Sequence, residues 1–188
     1  MNLKHLLLAS LLCIPFNSQA EGLFDNLFYG VAVLNQSVDI QVDTGTSSDS
    51  SSESGSGIAI FADKYYQGTY RFDGTVSFTS YDSFDIYMAT ASADYLFPYN
   101  AQLTFFAGGT AGGAMQKYSD SGLADSAAGL VYGVQGGGIM LVTDRIMLEL
   151  GYQMRFTDLE TEFTSSSVTA KAKLDKINQF YLSLYLFF

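Results

Sequence analysis

The chain has 188 residues, of which 48% are hydrophobic, and its formal net charge is −10. No stretch in the body of the chain reaches the roughly 18 consecutive apolar residues of a membrane helix, so helical membrane spans are excluded. Because the apolar residues are interleaved with polar ones, alternating strands are allowed, and the acidic balance argues against a nucleic-acid partner.

The first twenty residues have the pattern of a secretory signal peptide. Lys4 supplies a positive charge, residues 6–16 form an apolar segment, and Ser18 and Ala20 are the small residues that a signal peptidase reads. This pattern predicts cleavage after Ala20. We therefore expect residues 1–20 to be the signal and residues 21–188 to form one domain.

Cleavage would change the chemistry that is available to the protein. The only cysteine and the only histidine, Cys13 and His5, both lie in the signal. The mature chain would then have no disulfide, no thiol nucleophile and no imidazole. A Ser–His dyad is impossible without histidine, so we expect no enzyme activity and no cofactor. A catalytic pair of carboxylates is the alternative, although the spacing of the loop acids singles out no pair.

Alternation of apolar and polar residues predicts most of the strands. In 146–157, the residues Ile146, Leu148 and Leu150 share one face, and Glu149 and Arg155 share the other. Eight strands are predicted, at 28–43, 57–63, 70–79, 85–96, 101–118, 127–142, 146–157 and a last strand that contains 180–188.

The predicted linkers alternate in length, which is typical of an up-and-down barrel with short turns at one end and longer loops at the other. An open sheet with this apolar content would leave unpaired backbone groups in lipid, and closure removes those edges. The sequence therefore predicts an all-β, eight-stranded antiparallel transmembrane barrel. Long linkers are predicted at 44–56, 119–126 and 158–167, and short ones at 64–67, 97–100 and 143–145. The linker at 80–84 is an exception, because it is short but falls where a long linker is expected.

Charged residues of both signs are predicted on the inner face of the barrel. They are Arg71, Asp73, Asp94, Glu149 and Arg155. The lumen of an eight-stranded barrel is just wide enough for its own side chains, so buried charges must be paired. We expect a structural network that plugs the lumen, in which Arg71 or Arg155 bridges Glu149 and the two aspartates. A narrow or gated pore is the alternative.

Two other groups of residues have weaker patterns. The acidic, serine-rich segment 44–56 is predicted to be a solvated outer loop, with binding of divalent cations as the alternative. Further loop acids are Asp120, Asp125, Asp158, Glu160 and Glu162. The glycines of 101–118 and 127–142 do not open a helix after a strand, so a phosphate-binding loop is excluded. They are expected to let neighbouring strands approach closely.

The last strand carries one apolar file that ends on the final residue. It comprises Phe180, Leu182, Leu184, Leu186 and Phe188. A terminal phenylalanine that closes such a file resembles the sorting signal that the outer-membrane assembly machinery reads on bacterial barrels.

Together, the signal, the rhythm of strands and loops, the inward charges and Phe188 resemble the OmpA-type and OmpX-type outer-membrane barrels. The resemblance implies a Gram-negative outer-membrane protein with both termini in the periplasm, and we expect a monomer. It implies a role in envelope structure or surface interaction, with lipopolysaccharide, outer-membrane lipid or a host factor as partner. The alternatives are a narrow OmpW-type channel and a soluble lipocalin-type barrel, and the inward charges argue against the latter.

Overall fold

The computed structural model of the chain describes residues 27–43, 48–118, 126–143, 145–165 and 168–186. The predicted signal with Ser18 and Ala20 lies outside the described residues, as do Asp120, Asp125 and Phe188. Among the residues described, none belongs to a helix long and apolar enough to cross a membrane.

Nine strands follow one another along the described chain. They are β1 (Leu27–Asp43), β2 (Ser48–Tyr66), β3 (Tyr70–Ser80), β4 (Phe84–Pro98), β5 (Leu103–Tyr118), β6 (Ser126–Thr143), β7 (Ile146–Thr157), β8 (Glu160–Ser165) and β9 (Val168–Leu186). Each strand pairs antiparallel with its neighbours in the sheet.

The sheet closes on itself because β1 also pairs with β9, from Tyr29 opposite Leu186 to Asp43 opposite Lys171. Strand β9 pairs with β7 in its second half and with the short β8 in its first half. β8 therefore continues the line of β7, and eight strands form the wall. The predicted eight-stranded antiparallel barrel is confirmed.

Two predicted loops are wrong. Residues 44–56 were expected to be a loop before a short strand at 57–63, yet β2 begins at Ser48 and pairs with β1 from Ser48 to Lys64. The serines carry no apolar alternation, and the strand conformation is imposed by pairing with the alternating residues of β1. The predicted loop 158–167 contains β8, which forms a hairpin with β9.

The two ends of the barrel differ. We call the end where β1 starts and β9 finishes the proximal end, and the opposite end the distal end. Short connections at 67–69 and 99–102 lie at the proximal end, where β6 also ends at Thr143 and β7 begins at Ile146. The turn after β2 has positive φ at Gln67 and Gly68, the conformation of the hairpin turn whose twist matches its strands.

At the distal end, one part of the wall continues past the rest. β3 ends at Ser80, which is opposite Ser56, so residues 48–55 of β2 pair only with β1. The order β2-β1-β9-β8 forms a four-stranded sheet there, which we call the distal sheet. Eight residues of strand extend it by about 26 Å.

The outer face of the wall is apolar. Val33, Ile60, Val76 and Leu150 are each more than 60% exposed. Apolar surface on this scale is not stable in water. Aromatic side chains are exposed near the proximal end, at Tyr29, Tyr66, Tyr70, Tyr95, Phe97 and Tyr99.

The inner face holds two separate apolar clusters, one towards each end. The proximal cluster comprises Ala32, Leu34, Ala59, Phe61, Leu96, Phe106, Ile139, Met147, Tyr181 and Tyr185. The distal cluster comprises Val38, Tyr81, Phe84, Ile86, Met88, Ala114, Val131, Leu159, Leu174 and Ile177.

Inward glycines let the strands curve tightly. A Cβ atom on Gly133 of β6 would overlap the carbonyl oxygen of Met154 on β7. The outward Gly109 is different, because its nearest neighbour would lie at 3.7 Å. Glycine is therefore needed on the inner face, where the backbones approach most closely.

Candidate functional site: the barrel interior

A buried arginine from β3 is the centre of the proximal half of the lumen. Arg71 lies directly opposite Asp94 of β4 in the strand register. Its side chain crosses the narrow lumen to Glu149 of β7, and it also contacts Asp63 of β2. Since the side chains of Asp63, Arg71 and Glu149 are at most 2% exposed, these charges are removed from solvent.

The guanidinium of Arg71 serves three carboxylates. Its Nε atom donates to Asp94 Oδ2 at 2.9 Å, and Nη2 lies 2.7 Å from the same oxygen. Nη2 also donates to Glu149 Oε1 at 3.2 Å, and Nη1 donates to Glu149 Oε2. Nη1 lies 3.4 Å from Asp63 Oδ2. The ring of Phe106 lies under the guanidinium, with its centroid 4.3 Å from Cζ, which adds a cation–π contact.

Two tyrosines of β9 complete this group, which we call the ion cluster (Asp63, Arg71, Asp94 and Glu149). The Tyr181 hydroxyl donates to Glu149 Oε1 at 2.7 Å. The Tyr185 hydroxyl lies 2.7 Å from Glu149 Oε2 and 2.8 Å from Asp63 Oδ2. Hydrogen bonds to ionised groups are among the stronger ones in proteins. The ion cluster and the two tyrosines therefore connect five strands of the wall, β2, β3, β4, β7 and β9.

A chain of amides connects the ion cluster with the distal end. Four glutamines on four different strands each donate through Nε2 to the next side chain. In order from donor to acceptor, the chain runs from Tyr81 to Gln36 (2.6 Å), Gln179 (2.9 Å), Gln153 (3.0 Å), Gln135 (2.7 Å) and finally Asp94 (2.8 Å).

The glutamine chain begins at the distal end with the hydroxyl of Tyr81, which remains a hydrogen-bond donor. Burial in the distal cluster, with the carboxylate of Glu53 nearby, raises the pKa of Tyr81 well above its ordinary value. The hydroxyl therefore keeps its proton, which it donates to Gln36 Oε1.

The structure places the five predicted lumen charges in three different settings. Arg71, Asp94 and Glu149 are together in the ion cluster. Asp73 is half-buried and accepts a hydrogen bond from Gln135 Nε2 at 3.3 Å. Arg155 hydrogen-bonds Gln179 Oε1 at 3.0 Å, and no carboxylate in the described chain lies at ion-pair distance from it.

The hypothesis that either arginine could bridge Glu149 and both aspartates does not hold for Arg155. Arg155 lies six positions along β7 from Glu149, a distance of about 20 Å. Its guanidinium reaches Gln153 and Gln179 instead. Asp73 is likewise not among the described ion-pair partners of Arg71.

Asp63, the two tyrosines and most of the glutamine chain were not predicted from the sequence. Asp63 is the last residue of the predicted second strand at 57–63. The signal was present, because Asp63 continues the inward file of Ala59 and Phe61. Tyr181 and Tyr185 similarly occupy the face opposite the apolar file of the last strand.

The remaining predicted residues lie outside the lumen. Phe180, Leu182 and Leu184 of the predicted sorting signal are exposed on the outer face of β9. Asp158 follows β7, and its Oδ1 atom accepts a hydrogen bond from the backbone N–H of Leu130 at 2.8 Å. Glu160 and Glu162 belong to β8 and not to a loop.

A cavity of about 30 Å³ lies beside the ion cluster. Small residues of β1 and β2, Ala32 and Ala59, contribute to its wall and leave this space. Asp63, Asp73 and Ser183 are among its polar lining residues. Such a volume holds about two water molecules. Within the described residues, no three His, Cys, Asp or Glu side chains are arranged to hold a metal ion.

Comparison with known proteins shows which proteins share this architecture. No protein-family model matches the chain, and no curated protein matches its sequence. Neisserial surface protein A superposes with a TM-score of 0.58 at 16% identity, covering 84% of this chain and 97% of its own. The outer membrane protein OprG from Pseudomonas aeruginosa gives a TM-score of 0.53 at 10% identity, covering 85% of this chain and 95% of its own.

The chain has the fold of the eight-stranded outer-membrane β-barrels. At these identities the likeness concerns the fold, and the role of the protein must be argued from its own residues.

Proposed function

We propose that this chain is an integral protein of the outer membrane of a Gram-negative bacterium, and that its own side chains close its lumen to solutes. Its role is then in envelope structure or in surface interaction, without enzymatic activity. The exposed apolar file of Val33, Ile60, Val76 and Leu150 supports membrane insertion. Twelve residues of β7, tilted by about 40°, span about 30 Å, enough for the apolar band of an outer-membrane barrel.

The observation that carries the closed lumen is the continuous filling of the interior. The ion cluster packs among the residues of the proximal cluster, with Phe106 under the guanidinium and Tyr181 and Tyr185 bonded to the carboxylates. The glutamine chain continues from the ion cluster to Tyr81 of the distal cluster. Arg71 and Arg155 are each 1% exposed, so both are shielded from bulk solvent. Hydrated solutes would have to displace both apolar clusters and break the ion cluster and the glutamine chain to pass.

The distal sheet supports a surface role. It projects beyond the barrel mouth and carries the acidic, serine-rich residues 48–55 on a strand paired on one side only. Because residues 51–54 of this segment form a strand and not a loop, their outer edge can pair with a strand of a partner. With both termini in the periplasm, this sheet faces the exterior, where lipopolysaccharide or a host factor is available.

Fractionation tests the proposed location. The full chain produced in a Gram-negative host is expected in the outer-membrane fraction after alkaline carbonate washing. Its electrophoretic migration should change on boiling, as folded barrels show. Release into the soluble fraction by carbonate would contradict the proposal.

Shortening the distal sheet tests the surface role. Asp39 and Ser52 are cross-strand partners, so replacing residues 40–51 by an Asn-Gly turn shortens β1 and β2 equally. We expect this variant to remain heat-modifiable and to lose binding of whole cells to immobilised lipopolysaccharide or host-cell surfaces. Unchanged binding by the folded variant would contradict a role of the distal sheet in surface interaction.

A further inference from the structure

Two aspartates face each other across β2 and β3 inside the barrel. Asp63 and Asp73 are direct cross-strand partners, and both line the cavity beside the ion cluster. The Cβ atoms of such partners lie about 5 Å apart, and like charges at these positions repel each other. Arg71 lines the same cavity and contacts Asp63 through Oδ2, and Asp73 has no ion-pair partner among the described residues.

Carboxyl groups outnumber cationic groups around the cavity. Asp63, Asp94 and Glu149 share the single guanidinium of Arg71, and Asp73 adds a fourth carboxyl group. Arg155 is directed to the glutamine chain, so it does not neutralise this excess. Uncompensated negative charge in a low-dielectric interior is costly.

Unpartnered oxygen atoms are present at the same cavity. Asp63 is fully buried, and its Oδ1 atom has no hydrogen-bond partner among the described residues. The buried hydroxyl of Ser183 is likewise without a partner there. Buried polar atoms are rarely left in this state, so each of these oxygens is available to a ligand.

We propose that the cavity between Asp63, Asp73 and Ser183 binds a monovalent alkali cation, Na⁺ or K⁺. The ligand set contains only oxygen atoms, which suits a hard cation. Two carboxylates and a hydroxyl, with no third carboxylate in position, do not form the site of a strongly held divalent metal. The volume of about 30 Å³ accommodates one ion and one water. The cation offsets the excess of carboxyl groups and stabilises the ion cluster.

Thermal unfolding tests the cation site in the intact protein. The folded chain in zwitterionic detergent is heated in NaCl, in KCl and in N-methylglucamine chloride at one ionic strength and pH, and followed by circular dichroism. N-methylglucamine is too large for the cavity and controls for screening. We expect the midpoint in NaCl or KCl to exceed that in N-methylglucamine by about 5 °C and to saturate with cation concentration.

Variants then test which residues produce the cation-dependent shift of the midpoint. Asp73→Asn removes one ligand charge, and Asp85→Asn makes the same change on the outer side of β4, where the carboxylate accepts from Ser80. The cation-dependent shift should vanish in Asp73→Asn and in Ser183→Ala and persist in Asp85→Asn. The line width of the ²³Na NMR signal gives a second measurement. The wild-type protein should broaden this signal, and added K⁺ should reverse the broadening by competing for the site.

Three results would overturn the proposal. One is a wild-type midpoint that does not depend on the identity of the cation. Another is an undiminished shift in folded Asp73→Asn. The third is the absence of K⁺-sensitive ²³Na broadening, which would indicate that a proton shared by the two aspartates, and not a metal ion, relieves their repulsion.

Discussion

Replacing each buried arginine by methionine should give very different results, although both side chains are 1% exposed. Arg71 is shared by three carboxylates, and Arg71→Met would leave all of them without a counter-charge. Removing one partner of a buried ion pair costs about 3–5 kcal/mol. We therefore expect the folding equilibrium of Arg71→Met to fall more than about a hundredfold, since about 1.4 kcal/mol is a factor of ten.

Arg155→Met should be mild. The acceptors that Arg155 leaves are neutral and keep another donor each. Gln179 Oε1 still accepts from Gln36, and Gln153 Oε1 still accepts from Gln179. Replacing a buried charge by an apolar side chain of similar size is often neutral or stabilising, so we expect a change below about 1 kcal/mol.

Equilibrium urea unfolding in lipid vesicles measures both variants. The chain has no tryptophan, so circular dichroism and heat-modifiable migration are the suitable probes. An equal or larger loss for Arg155→Met than for Arg71→Met would refute the assignment of Arg71 as the centre of the interior.

Three further substitutions test separate parts of the structure. Glu149→Gln keeps the shape of the side chain but weakens its charge-assisted hydrogen bonds to Arg71 and two tyrosines. The melting midpoint should fall, with a loss of about 2 kcal/mol in the free energy of unfolding. An unchanged melting profile would count against the network. Gly133→Ala should impair barrel closure while Gly109→Ala folds normally, as judged by the heat-modifiable band; equal folding of both would contradict the close approach of β6 and β7. Leu150→Arg on the outer face should cost about 2–4 kcal/mol of stability in bilayers, and no loss there would argue against a lipid-facing position.

The strands with clean alternation were predictable from sequence. In 70–79 and 146–157, a period of two separates an apolar face from a polar one, and the structure exposes the first and buries most of the second. A closed barrel followed from this pattern because lipid does not tolerate open sheet edges.

The extent of β2 was not predictable from its own residues. Residues 48–56 are mostly serine, glycine and acids, a composition typical of a loop. Their conformation depends on β1, whose Val38, Ile40 and Val42 alternate and supply the pairing surface. Local patterns do not contain this information, because cross-strand pairing joins residues that are distant in sequence.

The interior was predictable in kind but not in detail. Alternation identified Arg71, Asp94 and Glu149 as inward-facing, but the choice of partners depends on register and on the shear of the closed barrel. Gln36, Gln135, Gln153 and Gln179 follow inward parity on four strands, but their order as a chain emerges only when the strands are brought together.

Single-channel recording tests the central claim, the closed lumen, most directly. Purified full-length protein is inserted into planar lipid bilayers, and current is recorded at both polarities in concentrated KCl, beside a known porin. The filled interior predicts a baseline without resolved openings, because both apolar clusters, the ion cluster and the glutamine chain occupy the lumen. Steady, reproducible openings from the pure protein would contradict the account and favour a narrow channel.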